Sequence, residues 1–289
     1  TPKDLLATAF WAYDAELMRQ MAHALGKETE AAEYQQLYGR IKAAFIQKLV
    51  RPDGTAGNGS QTCYVLALYM KLLPDNLRQQ AADHLVSDIE SRDWHLSTGF
   101  TGTSLLMQVL SDNGKNDVAY RLVLNTTYPS WGYMVDKGAT TMWERWNGDT
   151  GDPSMNSFNH YAFGAVGAWM YQTLVGIASD PSSPGFQRII IHPRPDTRIA
   201  SVSGSYDSPY GNVSTHWSAG EGKPFVLGVT VPANTAALVY LPTADASRVT
   251  ENGARLGSDI TQAGQESGEL IYQVGAGTYQ FEVREPSIQ

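Results

Sequence analysis

The sequence predicts a chain of two parts: a helical part laid out as a partial (α/α)6 toroid of about seven helices, then an antiparallel β-sandwich. Three observations predict it. Apolar residues recur at helical spacing through residues 1–178. Beyond residue 185 the hydrophobic period falls to two. Between the two textures lies Ser179-Asp180-Pro181-Ser182-Ser183-Pro184-Gly185, a linker by composition. The expected domains are therefore 1–178 and 179–289.

The first helix is carried by Leu6, Phe10, Tyr13, Leu17 and Met21, and the second by Tyr34, Leu37, Tyr38, Ile41, Phe45 and Leu49. The short Gly26-Lys27 break between them favours an antiparallel pair. Thr62 to Leu73 is apolar on most sides, as an interior helix would be. Pro74 opens an amphipathic stretch with Leu77, Ala81, Leu85 and Ile89 on one face. Helices follow at about 102–112 and 116–126, parted by Asn113-Gly114. Residues 127–158 have no clear period, and Asn159 to Ile177 reads as a further apolar helix. Interior helices alternating with amphipathic ones suggest a toroid, and about seven helices make roughly half of a six-hairpin one. In the second part Phe225, Leu227, Val229 and Val231 alternate with other residues, as do Tyr279, Phe281 and Val283. Ser208-Pro209-Tyr210-Gly211 and Glu251-Asn252-Gly253 are turn signals. Seven or eight short strands are expected.

Composition narrows the function. The 289 residues suit one large and one smaller domain, and 42 % apolar residues supply a core. A net charge of −8 with scattered basic residues weighs against nucleic acid as a partner. The single cysteine, Cys63, excludes an internal disulfide and reads as a buried structural thiol. No apolar run approaches roughly 18 residues, so no membrane span is expected. The chain starts at Thr1 with no signal-like segment, which reads as an excised or processed piece and leaves the compartment open.

Unusual chemistry concentrates in residues 131–160, with Trp131, Tyr133, Asp136, Trp143, Glu144, Arg145, Trp146, Asp149, Asp152, Asn159 and His160. A polar, glycine-containing loop is a poor place to bury tryptophan for packing alone. Indole faces suit the C–H faces of sugars, and carboxylates bind sugar hydroxyls. A carboxylate between two aromatics is partly desolvated, which sharpens its basicity. A packed loop whose Glu144 and Arg145 pair with other groups remains the competing reading. His160, at the start of an apolar stretch, fits a structural histidine as well as a site residue. Asp149 and Asp152, flanked by Gly148, Gly151 and Pro153, read as turn residues; they could supply calcium oxygens, but no full loop motif is matched. Gly54, Gly57 and Gly59 follow no strand and so form no phosphate-binding loop. Asp93-Trp94-His95 precedes a helix entry at which Thr101 or Thr103 is expected as the cap. No cofactor is expected.

Four ordered segments resemble bacterial α-L-rhamnosidases of the inverting, toroid-fold kind. They are His95 to Thr103, Ala139 to Asn147, Ser157 to Val166 and Gly204 to Gly211. The resemblance covers most of the chain. It implies hydrolysis of terminal α-L-rhamnose with inversion, with Glu144 as general base activating a water. It also implies that His160 lines the sugar pocket, with Trp131, Trp143, Trp146, Tyr133 and Asn159 as further binding residues. Inversion needs a second carboxyl about 6.5–9.5 Å away as the acid. No segment here matches the family's acid motif, and Glu16, Glu28, Glu30 and Glu33 read as solvated helix residues. The implied partner is a rhamnose-containing glycoside or polysaccharide. Apolar helix faces of a half toroid imply a homodimer or association with the missing N-terminal part. Two other readings stand: a carbohydrate-binding or scaffold module without a catalytic pair, and another toroid enzyme such as a polysaccharide lyase using Tyr133 and His160.

Overall fold

The structure, a computed structural model, describes residues 1–152, 154, 157–286 and 288. Pro153, one of the residues flanking Asp152, lies outside them. The chain divides into two compact units, Thr1–Val166 and Gly167–Gln289.

The first unit is helical. Helices α1 (Lys3–Ala24) and α2 (Glu28–Leu49) pack together as a pair. Gly26, at φ +69°, ends α1: its N–H donates to the His23 carbonyl and the Lys27 N–H to the Ala22 carbonyl. This is a Schellman closure, which a left-handed glycine makes cheap. Helix α3 (Gln61–Tyr69) is buried from Gln61 through Leu68 and packs against α1, α4 (Asp75–Glu90) and α5 (Phe100–Asp112). Its nearly continuous apolar run therefore marks an interior helix, as expected. Asn113-Gly114 closes α5, with Gly114 at φ +72° and the Lys115 N–H on the Leu110 carbonyl, and α6 (Asn116–Val123) follows. Cys63 is buried, its thiol donating to the Asn58 side-chain oxygen at 3.2 Å, so it is structural.

Three details differ from expectation. Neither Thr101 nor Thr103 caps α5: the N-cap is Gly99, without a side-chain bond, and the Thr103 hydroxyl meets that of Thr98 at 2.8 Å instead. Residues 127–158 contain a further short helix, α7 (Trp131–Asp136), capped by the Ser130 hydroxyl accepting from the Tyr133 N–H. Residues 159–177 are not one helix. They break into a 3-10 turn (Ala162–Ala165), one α turn, α8 (Val166–Trp169), and a π turn (Met170–Val175) that stops at left-handed Gly176.

The second unit is a sandwich of two five-stranded sheets. One runs in the order β1 (Ile177–Ser179), β2 (Arg188–Ile191), β6 (Ala236–Leu241), β9 (Glu269–Val274) and β8 (Thr261–Glu266). The other runs β3 (Ser201–Ser208), β4 (Gly211–Ser218), β5 (Phe225–Val231), β10 (Gly277–Val283) and β7 (Val249–Glu251). Pairing is antiparallel except between β2 and β6. Alternation decides the core: Phe225, Leu227, Val229 and Val231 face inward with Phe281, Val283 and Trp217, and meet Ile189, Val239 and Tyr272 of the opposite sheet. Among the described residues ten strands form where seven or eight are expected, because three-residue strands such as β1 and β7 are too short to show a period. The segment read as a linker is the β1–β2 connection. Asp180 holds it, accepting from the Ser182 N–H at 2.8 Å and pairing with Arg188.

Candidate active site

The site is built on a backbone pairing that the sequence does not announce. The Glu144 N–H donates to the Ser157 carbonyl at 2.9 Å, and the Ser157 N–H donates to Glu144 Oε2 at 2.8 Å. Two residues along, the His160 N–H donates to the Met142 carbonyl at 2.8 Å, and the Thr141 hydroxyl donates to the Phe158 carbonyl. Residues 141–144 thus run beside 157–160, which places Glu144 and His160 on paired segments. Glu144 is half-buried, with its main chain and one carboxylate oxygen both tied to Ser157. Among the described residues it forms no ion pair, so a pairing with Arg145 does not occupy it.

The tryptophans divide. Trp143 is buried among Met134 and Phe163, and a Cβ at Gly148 would come within 2.7 Å of its ring. Trp131 is also buried, with its indole N–H on the Phe163 carbonyl at 2.9 Å. Trp146 is half-buried, stacked on Phe163 at 3.9 Å and edge-on to Trp131 at 5.3 Å, and its indole N–H reaches the Thr98 carbonyl at 3.4 Å. Trp131 and Trp143 thus spend their faces on packing, and Trp146 keeps part of its surface open.

His160 is half-buried between two rings, Phe100 at 4.7 Å and Tyr161 at 5.3 Å. Its Nδ1 accepts from the Ala162 N–H at 3.3 Å, so the neutral ring carries its proton on Nε2. Asn159 is exposed beside it, with its N–H on the Ser157 hydroxyl. Tyr133 is engaged with Asp149: its hydroxyl donates to both carboxylate oxygens, at 3.1 and 3.0 Å, and Lys137 lies near the same carboxylate. Desolvation, then the Asp149 bond, push the Tyr133 phenol above its usual range. Asp152 holds a turn, accepting from the Ser154 N–H and hydroxyl, which keeps its carboxyl below the ordinary range.

The motif loop ahead of α5 supplies the wall. Gln61, fully buried on α3, accepts from the Ser97 N–H at 2.7 Å and donates to Asp88 at 2.9 Å and to the His95 carbonyl. That amide holds residues 95–98 where the Thr98 carbonyl meets Trp146. His95 points elsewhere, between the Arg92 carbonyl and Thr127. Residues that sequence reasoning passed over, Phe100, Phe163 and the main chain of Ser157, act here through nonlocal contact. Phe100 and Phe163 stand inside the similar segments or at their edge, but nothing local marks which ring stacks on which.

Of the early carboxylates, Glu16 binds Arg19 at 2.7 Å and Gln20, and the Arg19 bond holds it below the usual range, the opposite of what a general acid requires. Glu28 pairs with His23. Among the described residues no group of three His, Cys, Asp or Glu is placed to hold a metal ion. Among the described residues no helix is long and apolar enough to cross a membrane.

Comparison with known proteins bears on these features. The α-L-rhamnosidase of Streptomyces avermitilis is 46 % identical over 288 residues, 98 % of this chain and 27 % of that protein. An α-L-rhamnosidase of Formosa agariphila is 37 % identical over 98 % of this chain and 31 % of its own length. The crystal structure of the Streptomyces avermitilis enzyme complexed with L-rhamnose superposes with a TM-score of 0.90 over 98 % of this chain. That of native α-L-rhamnosidase from Aspergillus terreus, 33 % identical, superposes with 0.87 over 99 % of this chain and 31 % of that one. The chain therefore spans less than a third of the length of these relatives. Residues 176–255 match the bacterial α-L-rhamnosidase C-terminal domain. Residues 1–174, which carry Glu144, His160 and the aromatic cluster of Trp131, Trp143, Trp146 and Phe163, match the bacterial α-L-rhamnosidase 6 hairpin glycosidase domain, and the chain belongs to that family.

Proposed function

We propose that the polypeptide containing these residues hydrolyses terminal α-L-rhamnose from a rhamnose-containing glycoside with inversion, and that Glu144 is its general base. One observation carries the reading: a half-buried carboxylate held by a backbone N–H through one oxygen, next to the buried Trp143 and on a segment paired with the one that carries the stacked His160. Among the described residues the other oxygen, Oε1, accepts no hydrogen bond, so it is the atom that takes the proton from water as the water attacks the anomeric carbon. His160 Nε2–H binds a sugar hydroxyl, with Trp146 and Asn159 at the pocket wall. Trp131 and Trp143 hold Trp146 and Glu144 in place. The general acid is supplied from outside these residues, since each early carboxylate here is solvated or ion-paired. The test is Glu144→Gln in the complete polypeptide, assayed on an aryl α-L-rhamnoside. Loss of a general base typically lowers kcat about 10²–10⁴-fold; retention of most of the activity would remove Glu144 from the role.

The polysaccharide-lyase reading needs Tyr133 as a phenolate base. Its hydroxyl is instead donated to Asp149, and its pKa is pushed up. A scaffold role would leave the Glu144 anchoring without a purpose.

Helix α1 bears on partners. Phe10, Trp11, Met18, Met21 and Leu25 are exposed and fall on one face spanning about 100° of the helix. We read this stripe as an association surface, covered by the remaining hairpins of the toroid in the complete polypeptide and by a second copy when the chain is alone.

A further inference from the structure

The candidate site carries an aromatic row of which the chemistry above uses only the middle member. Phe100, His160 and Tyr161 lie nearly parallel, with centroids 4.7 Å apart at 19° and 5.3 Å apart at 8°. The inner end is rooted: Phe100 sets its edge against Phe163 at 5.4 Å, and Phe163 stacks on Trp146. The outer end is open. Tyr161 is 87 % exposed, so the face of its ring turned from His160 meets solvent. Backbone pairing sets this row beside Glu144, since His160 bonds to Met142 two residues from the carboxylate. A large ring held flat against a fixed neighbour is preorganised apolar surface, and preorganisation is what lowers the cost of binding.

We propose that Tyr161 is a stacking platform for a pyranose ring of the rhamnose-bearing glycoside, a subsite at the edge of the Glu144 site. This rests on the glycosidase reading above. A pyranose has an apolar C–H face, which the negative face of an aromatic ring attracts, and a rim of hydroxyls that need partners. The exposed Asn159, two residues before Tyr161, supplies one. A purely aromatic group would fill the face and leave that amide unused.

The experiment compares Tyr161→Ala, Tyr161→Phe and Tyr161→Trp in the complete polypeptide, on an α-L-rhamnosyl disaccharide and on an aryl α-L-rhamnoside. Tyr161→Ala should raise KM for the disaccharide roughly tenfold with kcat within about twofold, because stacking binds ground and transition states alike. Tyr161→Phe and Tyr161→Trp, which keep a ring face, should stay near the parent KM. An unchanged KM for the disaccharide overturns the proposal, as does a rise confined to the aryl substrate. A fall in kcat with the pH profile moving as it does in His160→Gln also overturns it, since Tyr161 would then only position the imidazole. Glu144→Gln in parallel separates the two ideas: if that variant stays active, the glycosidase reading of the site fails whatever Tyr161 does.

Discussion

Gly102 lies inside α5, where replacing glycine by alanine ordinarily stabilises a helix by about 1 kcal/mol. Here the sign should reverse. A Cβ at 102 would sit 2.6 Å from Thr62 Oγ1, 2.8 Å from Thr98 Cγ2 and 2.9 Å from Thr98 Cβ. Carbon–carbon contact is comfortable at about 3.5–4.0 Å, so the helix and Thr98 would have to separate by most of an ångström. Thr98 is buried and its hydroxyl is engaged with Thr103, so it cannot turn aside without breaking that bond. Overpacking of this kind costs about 1–3 kcal/mol, and a lost buried hydrogen bond about 1 kcal/mol more. Set against the propensity gain, Gly102→Ala should destabilise by about 1–3 kcal/mol, or roughly 2–10 °C in Tm for a unit of this size. Thermal unfolding followed by circular dichroism measures it. Tryptophan fluorescence should change as well, because the Thr98 carbonyl partners Trp146. An unchanged or raised Tm would refute the close-approach argument.

Two further outcomes follow from features of the two units. In the sandwich, bonds from Ser182, the hydroxyl first, hold the Asp180 carboxyl below the ordinary range against the opposing effect of burial. A depressed folded-state pKa stabilises above the unfolded value of about 3.9 and is lost as pH falls through the folded value. Asp180→Asn should therefore lower Tm at neutral pH, with the gap to the parent closing in acid; a gap constant down to about pH 2.5 would contradict this. In the helical unit, the α1 stripe predicts that the isolated chain self-associates and that Trp11→Glu with Met21→Glu reduces it. Light scattering showing the parent as a clean monomer would remove the association surface.

The parts of the fold that were legible are those whose cause is local. Gly26 and Asn113-Gly114 end helices because a left-handed residue closes the last turn, and that requirement is visible in the residue itself. The inward alternation of β5 and β10 is likewise a property of consecutive residues. Helix α7 escaped because six residues show no period, although Ser130 three positions before Tyr133 is a cap signal that could have been read. The apolar run from Ala162 to Val175 looks helical throughout, yet its turns change pitch twice before Gly176, where a side chain would overlap the Pro193 backbone. At the site, motif residues pointed to the loop that pairs with 157–160. They could not show that Glu144 leans on Ser157, or that Trp131 and Trp143 lie beneath the surface while Tyr161 stands above it, because those facts depend on pairing between segments.

The anchoring of Glu144 at Ser157 has a consequence for how this site tolerates change. The donor is a main-chain N–H, which every residue but proline possesses. Substitution at 157 therefore leaves the carboxylate's orientation untouched unless the newcomer is proline, which removes the N–H outright. Drift can alter the side chain at that position, losing only the Asn159 N–H bond to the Ser157 hydroxyl, while the aim of the carboxylate is inherited unchanged, and a single imino acid would end it.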